Sequence, residues 1–277
     1  MNLVLDPNFE IQGVNIEFES FTFAGGEPHI KLLTPLAGVE VVDIYHRIRS
    51  FNDMGILLLA VNALKHAGVK RLTLCLPYFP AARQDRFMVS GEPLSVKVYA
   101  DLINSQQFDQ VTIFDPHSDV TPALLDNCKV VENHDFVQKV VADINSDLLL
   151  ISPDGGALKK IYKVAAFLGQ YSVVECSKTR NVKTGALSGF KVYADDLEGM
   201  DCLIVDDICD GGGTFIGLAK ALKAKNAGKL YLAVSHGIFS NGFDTLLETF
   251  DKIYTTDAYK NLSQSEKISQ IKLSSIL

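Results

Sequence analysis

The sequence has few of the features that mark secreted, disulfide-stabilised or membrane-spanning proteins. Its five cysteines are scattered, odd in number and never in a C-x-x-C pair, which favours a reducing compartment over a disulfide framework or a zinc site. The first thirty residues contain no Lys or Arg and so lack the basic segment of a signal peptide. The longest apolar run, Ile56 to Val61, is too short to span a bilayer. We therefore expect a cytoplasmic protein with no membrane partner.

A broad basic surface and the common nucleotide-binding loops are also missing. A net charge of −7 over 277 residues argues against general nucleic-acid binding, so any anion site must be local. Neither a Walker lysine motif nor a G-x-G-x-x-G spacing occurs. What is present is 47% apolar and 21% charged residues, the composition of a globular protein with a sizeable core.

Strand and helix patterns alternate along the chain and predict an α/β protein. The first 45 residues indicate several strands, and a helix is expected from an N-cap at Asn52 to His66. Further strands are expected at Arg71 to Leu76, Gln110 to Phe114, Leu148 to Ile151, Tyr171 to Cys176, Leu203 to Val205 and Lys229 to Val234. Further helices are expected at Leu94 to Gln107, Asp135 to Asn145 and, from a capping box of Ser263 and Glu266, at the C-terminus around Ile268 to Leu273.

The stretch from Leu203 to Thr214, LIVDDICDGGGT, is the most informative in the chain. Paired carboxylates at its centre can accept hydrogen bonds from sugar hydroxyls. The glycines that follow bring backbone N–H groups close to a ligand at the start of a helix, as phosphate binding requires. The stretch therefore indicates a sugar-phosphate site, the alternative being an acidic, solvated turn. It is similar to the phosphoribosyl pyrophosphate loop of the type I phosphoribosyltransferase fold.

A second stretch, Pro77 to Arg86 (PYFPAARQDR), follows a predicted buried strand, where ligands bind in open α/β sheets. Its two arginines can engage phosphates as planar forks, and Gln84 and Asp85 can read polar edges of a base or sugar. On composition alone a solvated loop is an equal alternative. The stretch resembles the ATP signature of ribose-phosphate pyrophosphokinases, P-Y-x-x-x-A-R-Q-D-R, and the resemblance can be followed from Phe23 to the C-terminal region.

This resemblance implies a fold of two similar domains, residues 1 to 146 and 147 to 277. Each would be of the type I phosphoribosyltransferase-like fold, an α/β fold with a mostly parallel sheet flanked by helices. It also implies an enzyme that converts ATP and ribose 5-phosphate to AMP and phosphoribosyl pyrophosphate with Mg²⁺, as a dimer-based or hexameric homo-oligomer. Two alternatives are a phosphoribosyltransferase, which would consume the activated sugar, and a catalytically silent regulatory subunit.

Residue roles follow from the same resemblance, position by position. The catalytic pair would be Lys178 and Arg180, on a flexible loop that follows the strand Tyr171 to Cys176 and runs to Gly189. The metal contacts would be His117 and Asp154. The ATP-binding residues would be Phe23, Glu27, Arg83, Gln84, Asp85 and His117. The ribose 5-phosphate site would comprise Asp206, Asp207, Asp210, Gly211, Gly212, Gly213 and Thr214.

The chain departs from the family pattern at several of these places. Gly25 replaces an Asp beside the adenine-contacting residues, so nucleotide selectivity could be relaxed. Ala157 and Lys160 stand where relatives usually have Gly and Arg, and Gly211 stands where they often have Thr. Residues 87 to 90 lack the basic side chains that many relatives carry there, which puts ADP inhibition and phosphate activation in doubt.

Overall fold

The computed structural model describes residues 1–169, 171–180 and 187–277, and the side chains of residues 179, 180, 187 and 188 lie outside the described part. The chain divides into two compact units. The first unit comprises residues 1–131 with 258–260 and 277, and the second comprises residues 132–257 and 261–276. None of the described helices is both long enough and apolar enough to cross a membrane.

The first unit is built on a five-stranded sheet in which every pairing is parallel. Its elements are β1 (Asn2–Val4), β2 (Phe18–Thr22), β3 (Pro28–Leu32), β4 (Val41–Tyr45), α1 (Phe51–His66), β5 (Arg71–Leu76), α2 (Ser95–Asn104), β6 (Gln110–Phe114), α3 (Val120–Leu124) and β7 (Cys128–Val131). The strand order is β1-β4-β5-β6-β7, while β2 and β3 form a separate antiparallel hairpin. The predicted strands at β5 and β6 are confirmed at both ends.

Helix α1 begins two residues before the position predicted for its start. Ser50, not Asn52, is the N-cap: its backbone is extended and its side chain accepts a hydrogen bond from the Asp53 N–H at 3.2 Å. Asn52 already lies within the helix. Both residues suit an N-cap, and Ser50 is the one whose side chain accepts a hydrogen bond from a backbone N–H of the first turn.

The second unit is built on a seven-stranded sheet that is parallel except at one edge. Its elements are α4 (His134–Ile144), β8 (Leu148–Ser152), α5 (Leu158–Leu168), β9 (Val173–Arg180), β10 (Leu187–Val192), β11 (Asp201–Cys209), α6 (Gly213–Lys223), β12 (Leu230–Gly237), α7 (Asp244–Thr249), β13 (Lys252–Thr256) and β14 (Ile268–Ile271), followed by a 3-10 turn at Leu273–Ser275. The order is β10-β9-β8-β11-β12-β13-β14. All residues of β8 and β12 are buried, as expected for central parallel strands.

Four strands of this unit extend beyond their predicted C-terminal ends: β8 ends at Ser152, β12 at Gly237, β9 at Arg180 and β11 at Cys209. β11 continues through both carboxylates to Cys209, because β12 pairs with it over that length and residues 208 and 209 are buried. β9 runs on to Arg180 because antiparallel β10 pairs with it. Lys178 and Arg180 therefore lie on a strand, not in the loop predicted for them. Residues 181–186, which were predicted to belong to that loop, lie outside the described residues.

The predicted C-terminal helix is wrong. Ile268–Ile271 forms β14, which pairs in parallel with β13. Ile268 and Gln270 are the buried residues of this strand, so the burial pattern has the two-residue period of a strand. The apolar spacing at Ile268 and Ile271 fits a helix equally well, and pairing with the sheet decides between the two.

The division into units also differs from the sequence boundary after residue 146. The units divide between Val131 and Glu132, so α4 falls in the second unit. There it contacts α5 and β12. An amphipathic helix is part of the unit against which its apolar face packs. The sequence alone does not show which unit that is, so the boundary was predicted after the helix and not before it.

A buried ion pair ties the N-terminal segment of the first unit to the end of β4. The Arg47 Nε donates to Asp6 Oδ2 at 2.8 Å, and the two side chains are 1% and 2% exposed. Burial alone would raise the pKa of the Asp6 carboxyl. Hydrogen bonds from Arg47 and the Asn8 amide, with the charges of Arg47 and Arg49, instead hold that pKa below its usual value.

We expect Asp6→Asn to lower the free energy of unfolding by about 3–5 kcal/mol, because it leaves the buried Arg47 charge without its counter-ion. Since the Asp6 pKa is lowered on folding, its contribution exists above the unfolded pKa and is lost as pH falls through the folded value. Chemical denaturation at several pH values checks both points. Glu40→Gln, which removes the exposed pair with Lys70, is the control and should cost about 0–1 kcal/mol. If the difference in free energy of unfolding between wild type and Asp6→Asn does not become smaller at acid pH, this assignment is wrong.

Candidate functional site

In the first unit, the predicted nucleotide-binding residues lie beyond the carboxyl ends of neighbouring strands. The loop after β5 carries Arg83, Gln84 and Asp85, and the turn after β6 carries His117. Because β5 and β6 are parallel neighbours, both segments leave the same edge of the sheet. Arg83 and Gln84 are exposed, whereas Asp85 is buried.

Hydrogen bonds hold the Asp85 side chain of this group in place. Burial would raise the pKa of its carboxyl, but hydrogen bonds from Ser118 and Arg86, and the charges of Arg86 and His117, lower the pKa below its usual value. The Arg86 Nε lies 3.0 Å from Asp85 Oδ1. Ser118 was not predicted as a site residue, although its place directly after His117 was a signal. Its hydroxyl links the turn after β6 to the loop after β5.

Phe23 and Glu27 lie on a separate element, the turn that joins β2 to β3. Both are exposed, and the Phe23 ring contacts Phe21 edge-on at a centroid distance of 4.8 Å. The Glu27 side chain folds over Gly25: a Cβ there would lie 2.5 Å from Glu27 Oε2. The Glu27 carboxylate therefore occupies space that a larger residue at position 25 would need.

In the second unit, the glycine stretch forms a tight turn between β11 and α6. Gly212 is the N-cap of α6 with φ +80°, a left-handed conformation that favours glycine. Gly213 is exposed at the first helical position, and Thr214 follows. The turn thus presents the N-terminus of an 11-residue helix beyond a central strand, an arrangement suited to a phosphate.

The side chain of Asn241 occupies the space beside Gly211. A Cβ at Gly211 would lie 2.8 Å from Asn241 Nδ2. That side chain donates to the Gly211 carbonyl oxygen at 3.3 Å, and the Ser240 N–H donates to the Asp210 carbonyl at 3.2 Å. The segment after β12 therefore supports the turn from one side, a role that sequence reasoning missed.

Cys209 closes the base of the same turn. Its thiol is fully buried and accepts a hydrogen bond from the Gly212 N–H. Burial, with the charges of Asp206 and Asp210, raises the pKa of the thiol to about 12. The thiol is therefore protonated at neutral pH and acts as a packing and hydrogen-bonding group.

Negative charge is concentrated beside the turn. Removal from water, the neighbouring Asp207 and the charge of Asp154 raise the pKa of the Asp206 carboxyl well above its usual value. The Asp207 N–H donates to Asp206 Oδ1 at 2.9 Å. The carboxylates of Asp154, Asp206 and Asp207 therefore favour the binding of a cation here, in a protein whose net charge is already −7.

Lys178 supplies one positive charge to this region. Its Nζ lies 2.7 Å from Asp154 Oδ2 and 3.5 Å from the Thr214 hydroxyl oxygen. The structure therefore brings together three predicted site residues that come from β9, the loop after β8 and helix α6. Arg180 ends β9, and its side chain lies outside the described part.

Magnesium, the cofactor implied by the sequence, is compatible with this carboxylate site. No three His, Cys, Asp or Glu side chains surround one metal position within the described part of the chain. Magnesium, however, commonly binds through one or two carboxylates and completes its shell with water and substrate phosphates. Asp154 and Asp206 offer oxygens of this kind, whereas His117 offers a nitrogen, which magnesium accepts less readily.

Comparisons with known proteins cover nearly the whole chain. Residues 9–106 match the N-terminal domain of ribose phosphate pyrophosphokinase, and residues 132–257 match the phosphoribosyl transferase domain. A ribose-phosphate pyrophosphokinase of Mycoplasma genitalium is 32% identical over 235 residues, which cover 83% of this chain and 70% of that protein. The chain belongs to the ribose-phosphate pyrophosphokinase family.

Other members of this family align over a similar extent. The Mycoplasma pneumoniae protein is 31% identical over 90% of this chain and 76% of its own length. That of Vibrio cholerae is 29% identical over 92% and 83%. The phosphoribosylpyrophosphate synthetase structure from Mycobacterium smegmatis superposes with a TM-score of 0.85 at 23% identity, covering 99% of this chain and 95% of that one.

These matches confirm the predicted fold class and the predicted enzyme, a ribose-phosphate diphosphokinase. A phosphoribosyltransferase is disfavoured, because the first domain matches a pyrophosphokinase domain and the curated relatives align across both halves. The individual site residues remain predictions.

We expect Asp206→Asn to stabilise the metal-free, substrate-free protein near pH 8. A carboxyl whose pKa is raised on folding makes the folded state lose stability as pH rises from the unfolded pKa towards the folded one. The amide keeps an acceptor for the Asp207 N–H and removes the negative charge, so the variant should unfold at a higher temperature than wild type at pH 8. Thermal unfolding in EDTA at pH 5 and pH 8 measures this difference, with the exposed Asp195→Asn as the control. A gain of equal size at both pH values would contradict the assignment.

Proposed function

We propose that the enzyme transfers the β,γ-diphosphoryl group of ATP to the anomeric hydroxyl of ribose 5-phosphate, giving AMP and 5-phospho-α-D-ribose 1-diphosphate. The observation that carries this proposal is the convergence of the Asp206–Asp207 pair, the glycine turn and Lys178 at the carboxyl edge of the second sheet. Carboxylates suit the ribose hydroxyls, helix amides suit the 5-phosphate, and an ammonium suits the transferred group.

The roles within the sugar-phosphate site follow from these contacts. Asp210, Gly211, Gly212, Gly213 and Thr214 hold the 5-phosphate through the turn and the start of α6. Asp206 and Asp207 accept hydrogen bonds from the ribose hydroxyls, which positions the anomeric oxygen for in-line attack. Asp154 would hold a bound Mg²⁺ ion, which would neutralise part of the polyphosphate charge.

Lys178 and Arg180 stabilise the charge that develops as the diphosphoryl group passes between oxygens. Lys178 is already directed towards the glycine turn, 3.5 Å from the Thr214 hydroxyl. Both residues lie on the part of β9 that pairs with antiparallel β10, beyond the last residue that pairs with β8. Positioning and charge stabilisation are the main requirements of phosphoryl transfer, and no dedicated general base is needed.

The nucleotide is assigned to the first unit. Arg83 binds its phosphates, and Gln84 and Asp85 contact polar edges of the base or sugar. His117 contacts the nucleotide from the turn after β6. Hydrogen bonds from Ser118 and Arg86 hold Asp85 in place. Phe23 and Glu27 contact the adenine from the β2–β3 turn. With Gly25 in place of an Asp, one contact to the base is absent, so we expect weaker discrimination between purine nucleotides.

We also propose a homo-oligomer, dimer-based or hexameric, because Phe23 and Glu27 are presented on an exposed hairpin that a second subunit can complete. A cytoplasmic location is proposed from the cysteines, since all five are free and four are buried. Light scattering after size-exclusion chromatography gives the oligomer size, and a monomer at micromolar concentration would contradict the first proposal.

The reaction is tested by mixing the purified protein with ATP, Mg²⁺ and ribose 5-phosphate and recording phosphorus NMR spectra. We expect AMP and the 1-diphosphate of the sugar in equal amounts, because one diphosphoryl group moves per turnover. Formation of ADP would indicate a different transfer. No reaction under any of these conditions would support a regulatory subunit without catalytic activity.

Lys178→Ala should lower kcat by about 10²- to 10³-fold with little change in ATP affinity, because its ammonium acts mainly in the transition state. Steady-state kinetics together with equilibrium binding of ATP separate the two effects. Lys163→Ala is the matched control: Lys163 pairs with Glu132 at 3.4 Å on an exposed surface, and its loss should leave kcat unchanged. Equal losses of binding and turnover would contradict the assigned role.

A further inference from the structure

The two carboxylate oxygens of Asp154 have different partners. Oδ1 accepts hydrogen bonds from the backbone N–H groups of Gly156 at 2.8 Å and Ala157 at 3.2 Å. Oδ2 is contacted by the Lys178 ammonium at 2.7 Å. The backbone thus fixes one oxygen and orients the other towards the cation. A further positive ion that binds this carboxylate has to use the same oxygen as Lys178.

This ion pair is distinct from the exposed pairs on the protein surface. The Lys178 and Asp154 side chains are 17% and 29% exposed, whereas those of Lys163 and Glu132 are 50% and 39% exposed. Lys178 lies on β9, and β8, the strand before Asp154, is its parallel neighbour. The contact therefore joins β9 to the loop after β8 within a single unit, and the two side chains are less exposed to screening by water than a surface pair.

The negative charge of the neighbouring carboxylates favours a cation on Asp154 Oδ2, whether or not a metal ion is bound. The Asp154 carboxylate interacts unfavourably with that of Asp206, so an unneutralised Asp154 would add to the repulsion among the three carboxylates. An ammonium and a divalent ion can each relieve it. They compete for Oδ2, because a magnesium ion about 2.1 Å from the oxygen lies close to an ammonium on the same oxygen, and the two positive charges repel each other.

We propose that Lys178 holds the cation position on Asp154 until a divalent ion displaces it, so that metal binding releases the ammonium for the transferred group. The proposal rests on the function proposed above, since it connects the assigned metal contact with the assigned catalytic lysine. The Thr214 hydroxyl, 3.5 Å from the ammonium, marks the side towards which the released side chain can turn. In the metal-free enzyme, the Lys178 ammonium therefore stays paired with the Asp154 carboxylate.

The coupling can be measured without substrates. Electron paramagnetic resonance gives the Kd for Mn²⁺ of the substrate-free protein. Lys178→Met should lower this Kd by roughly five- to tenfold, because it removes the competing ammonium while retaining an unbranched side chain. Asp154→Asn should abolish the effect of the Lys178 substitution in the double variant. Lys163→Met, which changes the net charge equally, should match wild type.

A second measurement uses the wild-type side chain itself. After reductive ¹³C-methylation of the lysines, the Lys178 signal is identified by its absence from Lys178→Met. Addition of Mg²⁺ should shift that signal in the wild-type background and leave it unchanged in Asp154→Asn. If Lys178→Met fails to fold, which thermal unfolding reports, the charge-conserving variant Lys178→Arg gives the same assignment, so the measurement remains decisive.

The outcomes separate the coupling from the catalytic function. Unchanged or weaker Mn²⁺ binding in Lys178→Met overturns the proposal, as does equal tightening in Lys163→Met, which would show a general charge effect. An immobile Lys178 signal on Mg²⁺ addition also overturns it. Since all of these measurements omit ATP and sugar phosphate, they succeed or fail independently of the phosphorus NMR assay for the reaction.

Discussion

Parallel pairing of the buried strands is the constraint on which the candidate site depends. In the second unit, β9, β8, β11 and β12 are successive parallel neighbours, so their carboxyl ends lie along one edge of the sheet. Residues far apart in sequence, such as Asp154 and Lys178, meet there without long connecting loops. The backbone amides of the next helix then face the same edge. The chemistry is thus distributed over several strands, and the sheet holds its parts in register.

Electrostatics explain why this edge carries charged groups of both signs. Three neighbouring carboxylates are unfavourable in the absence of a counter-charge, as the raised pKa of Asp206 indicates. Lys178 partly compensates them in the substrate-free protein. The carboxylates repel one another in the substrate-free protein, and a bound cation reduces this repulsion. The reduction adds to the free energy with which a metal complex binds.

Sequence reasoning identified the elements with strong local patterns and missed those decided by pairing. The strands β5 and β6 were predicted correctly because apolar runs bounded by polar residues are visible in sequence. The ends of β9 and β11 were not, because partner strands continue the hydrogen bonding past polar residues. Ile268 and Ile271 fit both helical and strand spacing, and only the neighbouring strand β13 decides between them.

The same distinction applies to the site, and the glycine turn illustrates it. Sequence motifs located the residues around position 211 but gave no sign of Asn241, whose side chain fills the space that a β-carbon at Gly211 would enter. A β-carbon at position 211 would therefore require the Asn241 side chain to rotate away, which would break its hydrogen bond to the Gly211 carbonyl oxygen. The support that the segment after β12 gives to the turn thus depends on the absence of a side chain at position 211.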